Sequence, residues 1–478
     1  MTARRDWLKH TAALGAGIAI GGPALAQGQA LPAAPLKPQP QPQLPAPRAW
    51  QNWSGIQRCQ PKAWLLPTDE AALQQALRDH KSGPLRCVGA GHSFSPLVPT
   101  EGTLVSLDQL SGIVAIDPGN SAQGPSVRVR AGTRIGMLAR ALNAQGLALF
   151  NQPDIDVQTL AGALATGTHG TGQTLPALHA EVLALRLVSS EGELLELSAQ
   201  QNPDLFDAAR VSLGTLGVIS EYTLKVRPRY QLRRRVWLER TEALLEQAPE
   251  LAAKHRHFEL YVLPFTGYSA AITHTEVAGG AGDISHPASA DEDVLRDLQR
   301  LRDWLGRWPE LRRWTAAKLI AQTPAESAQD WSWKLLSSSR PTRFNESEYH
   351  LPRAAGIACL KDIIKTLEQR NEVFFPIEFR FVRADTAWLS PFYMRDSCSV
   401  ACHALQGEAH DYLLKDLGPV YRRHGGRPHW GKLHDLGRAE LQTLYPKLAD
   451  FEAQRRQLDP QGRLLNPHVK AMLGLKNG

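Results

Sequence analysis

The stretch RCVGAGHSFSPL (Arg86–Leu97) sets the terms for the rest of the chain. A short apolar run enters a Gly-Ala-Gly turn and leaves it at His92, between small residues. A chain gives up side chains in this way where its backbone approaches another group closely. Two more glycine clusters follow. TLAGALATGTHGTG (Thr159–Gly172) carries Gly162, Gly167, Gly170 and Gly172, and Gly214-Thr-Leu-Gly217 is the third. Amides in such turns can converge on a pyrophosphate, because no Cβ blocks the approach. The first cluster is not a Rossmann fingerprint: Gly89-Ala90-Gly91-His92-Ser93-Phe94 lacks the third glycine, and no acidic residue closes a following βαβ unit. There is no Walker lysine. Any one cluster alone reads as a plain turn; three between Gly89 and Gly217, with Ser and Thr interleaved, read as a phosphate cradle.

The flanking periodicity predicts α+β rather than regular βαβ order. Glu70–Lys81 has helical spacing, as does Arg134–Asn143. Leu85–Val88, Thr103–Leu107 and Ser126–Arg130 read as strands. VLALRLVSSEGELLELSA (182–199) reads as a hairpin about Ser190-Glu191-Gly192. DLFDAARVSLGTLGVISEYTLKV (204–226) reads as helix, glycine turn and strand. Beyond it, 229–400 opens with strands and holds RDWLGRWPELRRWTAAKLI (302–320), whose Trp304, Trp308 and Trp314 are expected to pack a helix on a sheet; a membrane-surface anchor is the alternative.

The 478 residues suffice for two domains with sizeable cores. With 43% hydrophobic and 21% charged residues and a net charge of +7, the balance is that of an ordinary globular protein. No zinc-finger, RNA-binding or leucine-zipper pattern accompanies the mild basicity, so no nucleic-acid partner is expected; Arg233–Arg235 reads as a solvated edge. Five cysteines show no metal spacing, no CxxC and no CxxCH, and are expected to be buried free thiols, with a Cys59–Cys87 bridge as the alternative. No metal is expected.

MTARRDWLKHTAALGAGIAIGGPALA (1–26) places Arg4-Arg5 before a weakly apolar run and an Ala-Leu-Ala site, and resembles a twin-arginine export signal, with Trp7 where Phe is more usual. The run is shorter than the roughly 20 residues a span needs. The expectation is therefore export of the folded protein by the twin-arginine machinery, a periplasmic or secreted location, and membrane contact only through an uncleaved signal. Residues 27–49 are Pro- and Gln-rich and read as an extended linker.

Taken together, GAGHSFSPL, NQPDIDVQTLAGALATGTHGTG, GTLGVISEYTLKV, IEFRFVRADTAWLSP, GGRPHWGKLH and LLNPHV resemble, in order, the sugar-lactone and alditol oxidase branch of the vanillyl-alcohol-oxidase-type flavoproteins. The resemblance runs from about Trp50 to about Leu473. It implies a two-subdomain FAD-binding domain of the PCMH type (50–228), a substrate domain (229–400) with a large antiparallel sheet over the flavin, and a C-terminal segment (401–478) that completes the site. It implies that His92 is bonded covalently to the flavin. Gly89, Ala90, Gly91, Ser93 and Phe94 would hold the pyrophosphate. Asp156, Thr159, Gly162, Gly167, Thr168, His169, Gly170, Thr171, Gly217, Val218 and Ile219 would lie against the cofactor.

On the substrate side, Glu378 and Arg380 alternate in PIEFRFV, so in a strand they share one face while Phe379 and Phe381 share the other. Such a pair alone is usually a surface salt bridge; in the family it sits beside the flavin. Trp430, Lys432 and His434 share a face if HWGKLH is extended. The implied reaction takes hydride from a hydroxyl-bearing carbon of a sugar lactone or polyol to the flavin. Glu378, His434 or neutral Lys432 would be the base, Arg380 or Lys432 the stabilising charge, and O2 or another electron acceptor would reoxidise the flavin. A carbohydrate-binding protein without catalysis is the reading from another class.

Overall fold

The computed structural model describes residues 48–475 except 82, 121–123, 279–290, 321–322 and 339. The expected export signal, and the linker up to residue 47, lie outside the described residues. The first strand among the described residues starts at Trp50.

Ala63–Leu65 (β1), Leu85–Val88 (β2) and Thr103–Ser106 (β3) form a small parallel sheet in the order β1-β3-β2. Helix α1 (Glu70–Asp79) crosses over between β1 and β2. Its start is local chemistry: the Asp69 carboxylate accepts from the Ala72 amide at 2.8 Å, and Leu73 and Leu77, one turn apart, are its buried stripe. A second sheet is antiparallel. It contains Ile113–Asp117 (β4), Ser126–Arg130 (β5), Val182–Val188 (β6), Leu194–Ser198 (β7) and Val218–Lys225 (β8), in the order β7-β6-β8-β5-β4. The β6–β7 hairpin turns at Ser189–Gly192, where Gly192 has φ +82°. Helices α2 (Ile135–Ala144), α3 (Leu160–Ala165) and α4 (Pro203–Ala209) complete this half.

The other half is one eight-stranded antiparallel sheet. Gln231–Arg240 (β9), His257–Leu263 (β10), Tyr268–Val277 (β11), Glu326–Trp331 (β12), Phe344–Pro352 (β13), Ile377–Val382 (β14), Ser397–Leu405 (β15) and Arg427–Pro428 (β16) take the order β12-β9-β11-β10-β14-β15-β13-β16. Strand β15 runs through residue 400, so the sheet continues past that expected boundary. The fold is α+β. All five cysteines are free thiols, three of them buried.

Thr241–Lys254 (α5) packs on this sheet; Asp291–Leu305 (α6) and Pro309–Ile320 (α7) form a helical pair. Here one expectation fails. Trp304, Trp308 and Trp314 are not packed on the sheet; they are 78%, 59% and 60% exposed. The inward face of α7 is instead set by Arg312, which is 1% exposed. Its guanidinium donates to the carbonyls of Asn371 (3.2 Å) and Val373 (2.8 Å) and lies 4.3 Å over the Phe265 ring. Satisfying that buried cation rotates the indoles outward.

A second buried arginine ties the two ends of the chain together. Arg86 on β2 is 2% exposed, feels the charge of Asp459, and makes no ion pair among the described residues. Its guanidinium donates to the carbonyls of Leu97 (2.7 Å), Leu213 (2.7 Å), Gly214 (3.1 Å) and Leu464 (2.5 Å). Asn466 of the closing segment adds bonds to Pro96 O (2.8 Å) and Pro99 O (3.0 Å). Replacing Arg86 by Met would leave the Leu213, Gly214 and Leu464 carbonyls without a donor, while Leu97 O would keep only its 3.3 Å bond from Asn466. Arg86→Met is expected to lower unfolding free energy by roughly 3 kcal/mol or more, read by urea denaturation; a loss below about 1 kcal/mol would show that water or backbone movement replaces the guanidinium.

Candidate active site

Between the two halves lies a cleft of ≈ 1660 Å³, including its solvent-open part. Its lower walls are the three glycine segments of the first half: Gly89–Phe94, Thr159–Gly162 and Gly214–Ile219 all contribute. The carbonyls of Gly91, Ser93 and Phe94 are engaged by Trp53 N, Asn52 Nδ2 and Gln57 Nε2. The amides of Ala90, Gly91, His92 and Ser93 donate to no protein acceptor among the described residues. Four free amides on a half-buried turn fit an anionic group, and with the two other glycine walls they fit the diphosphate of FAD. Gly91 has φ +72° and Gly214 φ +65°, which glycine adopts without strain.

His92 lines the same cleft, its ring 5.2 Å from that of Trp53 and stacked on it. Burial, with the charges of Lys432 and Arg134, pushes its imidazole down to about 4, so it is neutral at physiological pH. The loop is tied to the opposite half. Phe94 N donates to Gly431 O (2.6 Å), Ser95 Oγ donates to Trp430 O (2.6 Å), and the Lys432 ammonium lies 5.2 Å over the Phe94 ring.

The sheet roofs the cleft with charge. On β14, Glu378 and Arg380 face the cleft while Phe379 and Phe381 are buried behind them. Arg380 is the centre of an acidic cage. It contacts Glu378 at 2.8 Å, donates from Nε to Glu259 at 2.8 Å and from Nη2 to the Tyr261 hydroxyl at 3.0 Å, and pairs closely with Asp154. Antiparallel register sets Glu259 and Tyr261 of β10 directly opposite Arg380 and Glu378. Burial works to raise Asp154, but Arg380 and Arg340 outweigh it and hold that carboxyl below its usual range. Burial and the Asp154 charge push Glu259 up to about 7.

Beside the cage, Lys432 pairs closely with Glu346. Burial opposes its charge, but Glu346 and Glu348 hold the ammonium above the ordinary lysine range, so Lys432 is not a neutral base. His403 Nε2 lies 3.7 Å from a carboxylate oxygen of both Glu346 and Glu378. Deeper, His169 Nδ1 is 2.8 Å from the Gly170 carbonyl, an acceptor only, and its Nε2 is 2.9 Å from Glu348. With His350 these two place ligand-type atoms within 4.8 Å of one another. The imidazole–carboxylate contact already closes that group. A second chamber of ≈ 2370 Å³, solvent-open part included, lies under β9–β11 and shares Asp154, Glu378 and His403 with the cleft.

Several expected site residues lie elsewhere. HWGKLH is a turn rather than a strand: Lys432 N donates to His429 O at 2.9 Å. Of Trp430, Lys432 and His434, the turn sends only Lys432 into the cleft. Trp430 packs on Tyr445, and the half-buried His434 lies against Trp430 and His468 with both ring nitrogens unpartnered among the described residues. Burial pushes His434 down to about 3. Asp156 is not on the cleft; its carbonyl accepts from Gly136 N at the start of α2, and Asp154 takes the place by the site. Gly167, Gly170 and Thr171 sit behind the lining residues Thr168 and His169. Thr171 Oγ1 donates to Phe258 O (2.6 Å), and Gly172 N to Phe381 O (2.8 Å), which fastens this loop to the sheet.

Asp154, Glu259, Glu346, Glu348, His403 and His429 were not singled out from sequence. FNESEYH held one signal: Phe344, Glu346, Glu348 and His350 alternate on one face of a strand whose every residue before Pro352 is buried. Acidic residues repeated in a buried strand call for partners.

A carboxyl raised in the folded state binds its proton more tightly there than in the unfolded chain. The contribution of Glu259 to stability is thus present below its ordinary 4.5 and lost as pH rises through about 7. Urea unfolding of wild type is therefore expected to show a larger loss of stability from about pH 5 to about pH 8 than Glu259→Gln does. Equal losses would mean that the cage holds its proton on another carboxylate.

Comparison with known proteins agrees with this geometry. Residues 222–472 match the D-arabinono-1,4-lactone oxidase family, and residues 61–198 match the FAD binding domain. L-Gulono-1,4-lactone dehydrogenase of Mycobacterium tuberculosis is 33% identical over 89% of this chain and 99% of its own. Alditol oxidase of a Streptomyces species is 30% identical over 88% of this chain and 98% of its own. L-Gulonolactone oxidase of Mus musculus is 28% identical over 88% and 97%. Among solved structures, cholesterol oxidase from B. sterolicum superposes with a TM-score of 0.72 at 18% identity, over 92% of this chain and 100% of that one, a likeness of fold. The chain is thus an FAD-dependent oxidoreductase that belongs to the D-arabinono-1,4-lactone oxidase family of FAD-linked sugar-lactone oxidases, and the glycine-walled cleft beside the Arg380 cage is its candidate site.

Proposed function

We propose that the protein oxidises a hydroxyl-bearing carbon of an aldono-1,4-lactone, with FAD held covalently by His92. The observation that carries this reading is the meeting of Glu378, Arg380, Lys432 and His403 on the roof of the same cleft whose floor is the His92 glycine loop. FAD, when bound, supplies the two-electron acceptor. Lys432 and Arg380 keep their charge and orient the lactone oxygens through charge-assisted hydrogen bonds. Glu378 takes the hydroxyl proton, and His403, 3.7 Å from its second oxygen, accepts that proton next. His92, kept neutral and braced by Trp53, has the free nitrogen lone pair that a bond to the flavin 8α carbon requires. The Arg4-Arg5 segment supports export by the twin-arginine route to a periplasmic or secreted location, with the flavin loaded before export.

Acid precipitation tests the cofactor link: yellow is expected to stay in the wild-type pellet and to move to the supernatant in His92→Ala. Lactones and polyols are then screened with O2, a quinone and a cytochrome as acceptors. Glu378→Gln is expected to lower kcat by about 10²–10⁴ while retaining bound flavin. Polyol turnover without lactone turnover would point to an alditol oxidase, and flavin that no lactone or polyol reduces would overturn the reading.

A further inference from the structure

The second chamber, ≈ 2370 Å³ with its solvent-open part, has no role in the reaction assigned to the cleft. It is nonetheless continuous with that cleft: Asp154, Arg340, Phe344, Glu378 and His403 line both. Strand register is the cause. Leu238 of β9 pairs with Ala270 of β11, Ala270 with Tyr261 of β10, and Tyr261 with Glu378 of β14. These four residues therefore form one row across the same face of the sheet, and all four line the chamber. Three interstrand steps of about 4.8 Å carry the row roughly 14 Å from Glu378 to Leu238, which is longer than one sugar ring. Its far end is apolar and half-buried: Val236, Leu238 and Ala270.

The polar groups of the chamber restrict what fits there. Three hydroxyls spend their protons on the protein: Tyr261 donates to Asp154 (3.1 Å), Ser337 to the Pro153 carbonyl (2.7 Å) and Thr342 to Glu292 (2.6 Å). Towards a ligand these oxygens only accept, as carboxylates do. Among the cations, Lys334 is paired with Asp330 at 2.9 Å and Arg340 lies 3.8 Å from Asp154. Five carboxyl-bearing side chains and three cationic ones line the chamber, so it carries no excess of positive charge. A phosphate or carboxylate ligand would bring further acceptors and further negative charge, and a quinone carbonyl brings acceptors alone. The matching chemistry is neutral, donates through hydroxyls and turns C–H faces towards an apolar patch, which is that of a sugar ring.

We propose that the chamber is a subsite for a neutral glycosyl unit carried by the substrate, whose reacting hydroxyl lies at Glu378. It rests on the reading that oxidation takes place at Glu378 and Arg380; the glycosidic bond is left intact. The test follows anaerobic flavin reduction in the full chain by a hexono-1,4-lactone and by sorbitol, each beside its 6-O-glucosyl derivative. The glucosyl derivatives are expected to saturate the enzyme at roughly tenfold lower concentration than their parents. Ala270→Trp, which fills the middle of the row, is expected to erase that difference and to leave the parents unchanged. Thr342→Val, which removes one acceptor and changes little volume, is expected to reduce it several-fold, and circular dichroism checks that both variants fold. Calorimetric titration of Glu378→Gln with the same four compounds reads binding without turnover. Tighter binding of the derivatives there, with no flavin reduction by any compound in wild type, would sink the assigned reaction and keep the subsite. Derivatives that bind no more tightly than their parents, or a preference that both chamber variants leave intact, overturn the proposal. So does a soluble quinone whose binding Ala270→Trp abolishes, which would make the electron acceptor the occupant.

Discussion

The guanidinium of Arg86 is the constraint on which the cleft depends. It sits at the foot of the strand that feeds the His92 loop, and it collects carbonyls from that loop's far end, from Leu213 and Gly214, and from Leu464. These segments lie far apart in the chain, yet each meets the floor of the cleft or its foundation. A buried cation whose hydrogen bonds all go to carbonyls is held chiefly by geometry, with Asp459 as an opposing charge nearby; burial lowers it to about 10, and it remains charged at any physiological pH. The bonds fix the glycine turns to one another. That fixed arrangement is what allows unpaired amides to stand ready for a phosphate without the loop collapsing onto itself.

The roof follows the opposite principle. Arg380 is surrounded by more carboxylates than it can neutralise: Asp154, Glu259 and Glu378. Such a cage is weak evidence for stability, since burying charge is costly even when it is paired. Its effect is on function: it places ionisable groups in a buried cluster where their affinities for protons are pulled apart, with Asp154 lowered and Glu259 raised. The second pair, Lys432 with Glu346, brings a fixed positive charge to within reach of the Phe94 ring and so to the edge of the His92 loop.

Both arginines, with Arg312, show where hydropathy patterning misleads. A tryptophan-rich helix reads as a core element, because indoles carry the largest apolar surface. In α7 the core position went to Arg312, whose partners lie in the Asn371–Val373 segment and the Phe265 ring. Nothing within residues 302–320 announces those partners.

Much of the site was legible in residue order. The glycine turns depend on backbone constraints that act over a few residues: positive φ and the absence of a Cβ. The alternation of Glu378 and Arg380 with Phe379 and Phe381 depends only on the two-residue period of a strand. Those features carried the flavin expectation and half of the roof. HWGKLH shows the limit, because its bend at Trp430–Lys432 sent Lys432 to the cleft and His434 away from it against Trp430 and His468, and a one-residue change of backbone direction reverses such an assignment. The sequence by itself therefore determined the cradle, the His92 position and the Glu378–Arg380 face, because each follows from local stereochemistry. Tertiary structure alone decided that Asp154, Glu259, Glu346 and His403 join them and that the α7 indoles face outward, because those outcomes depend on which strands pair and on which buried cation must find its acceptors.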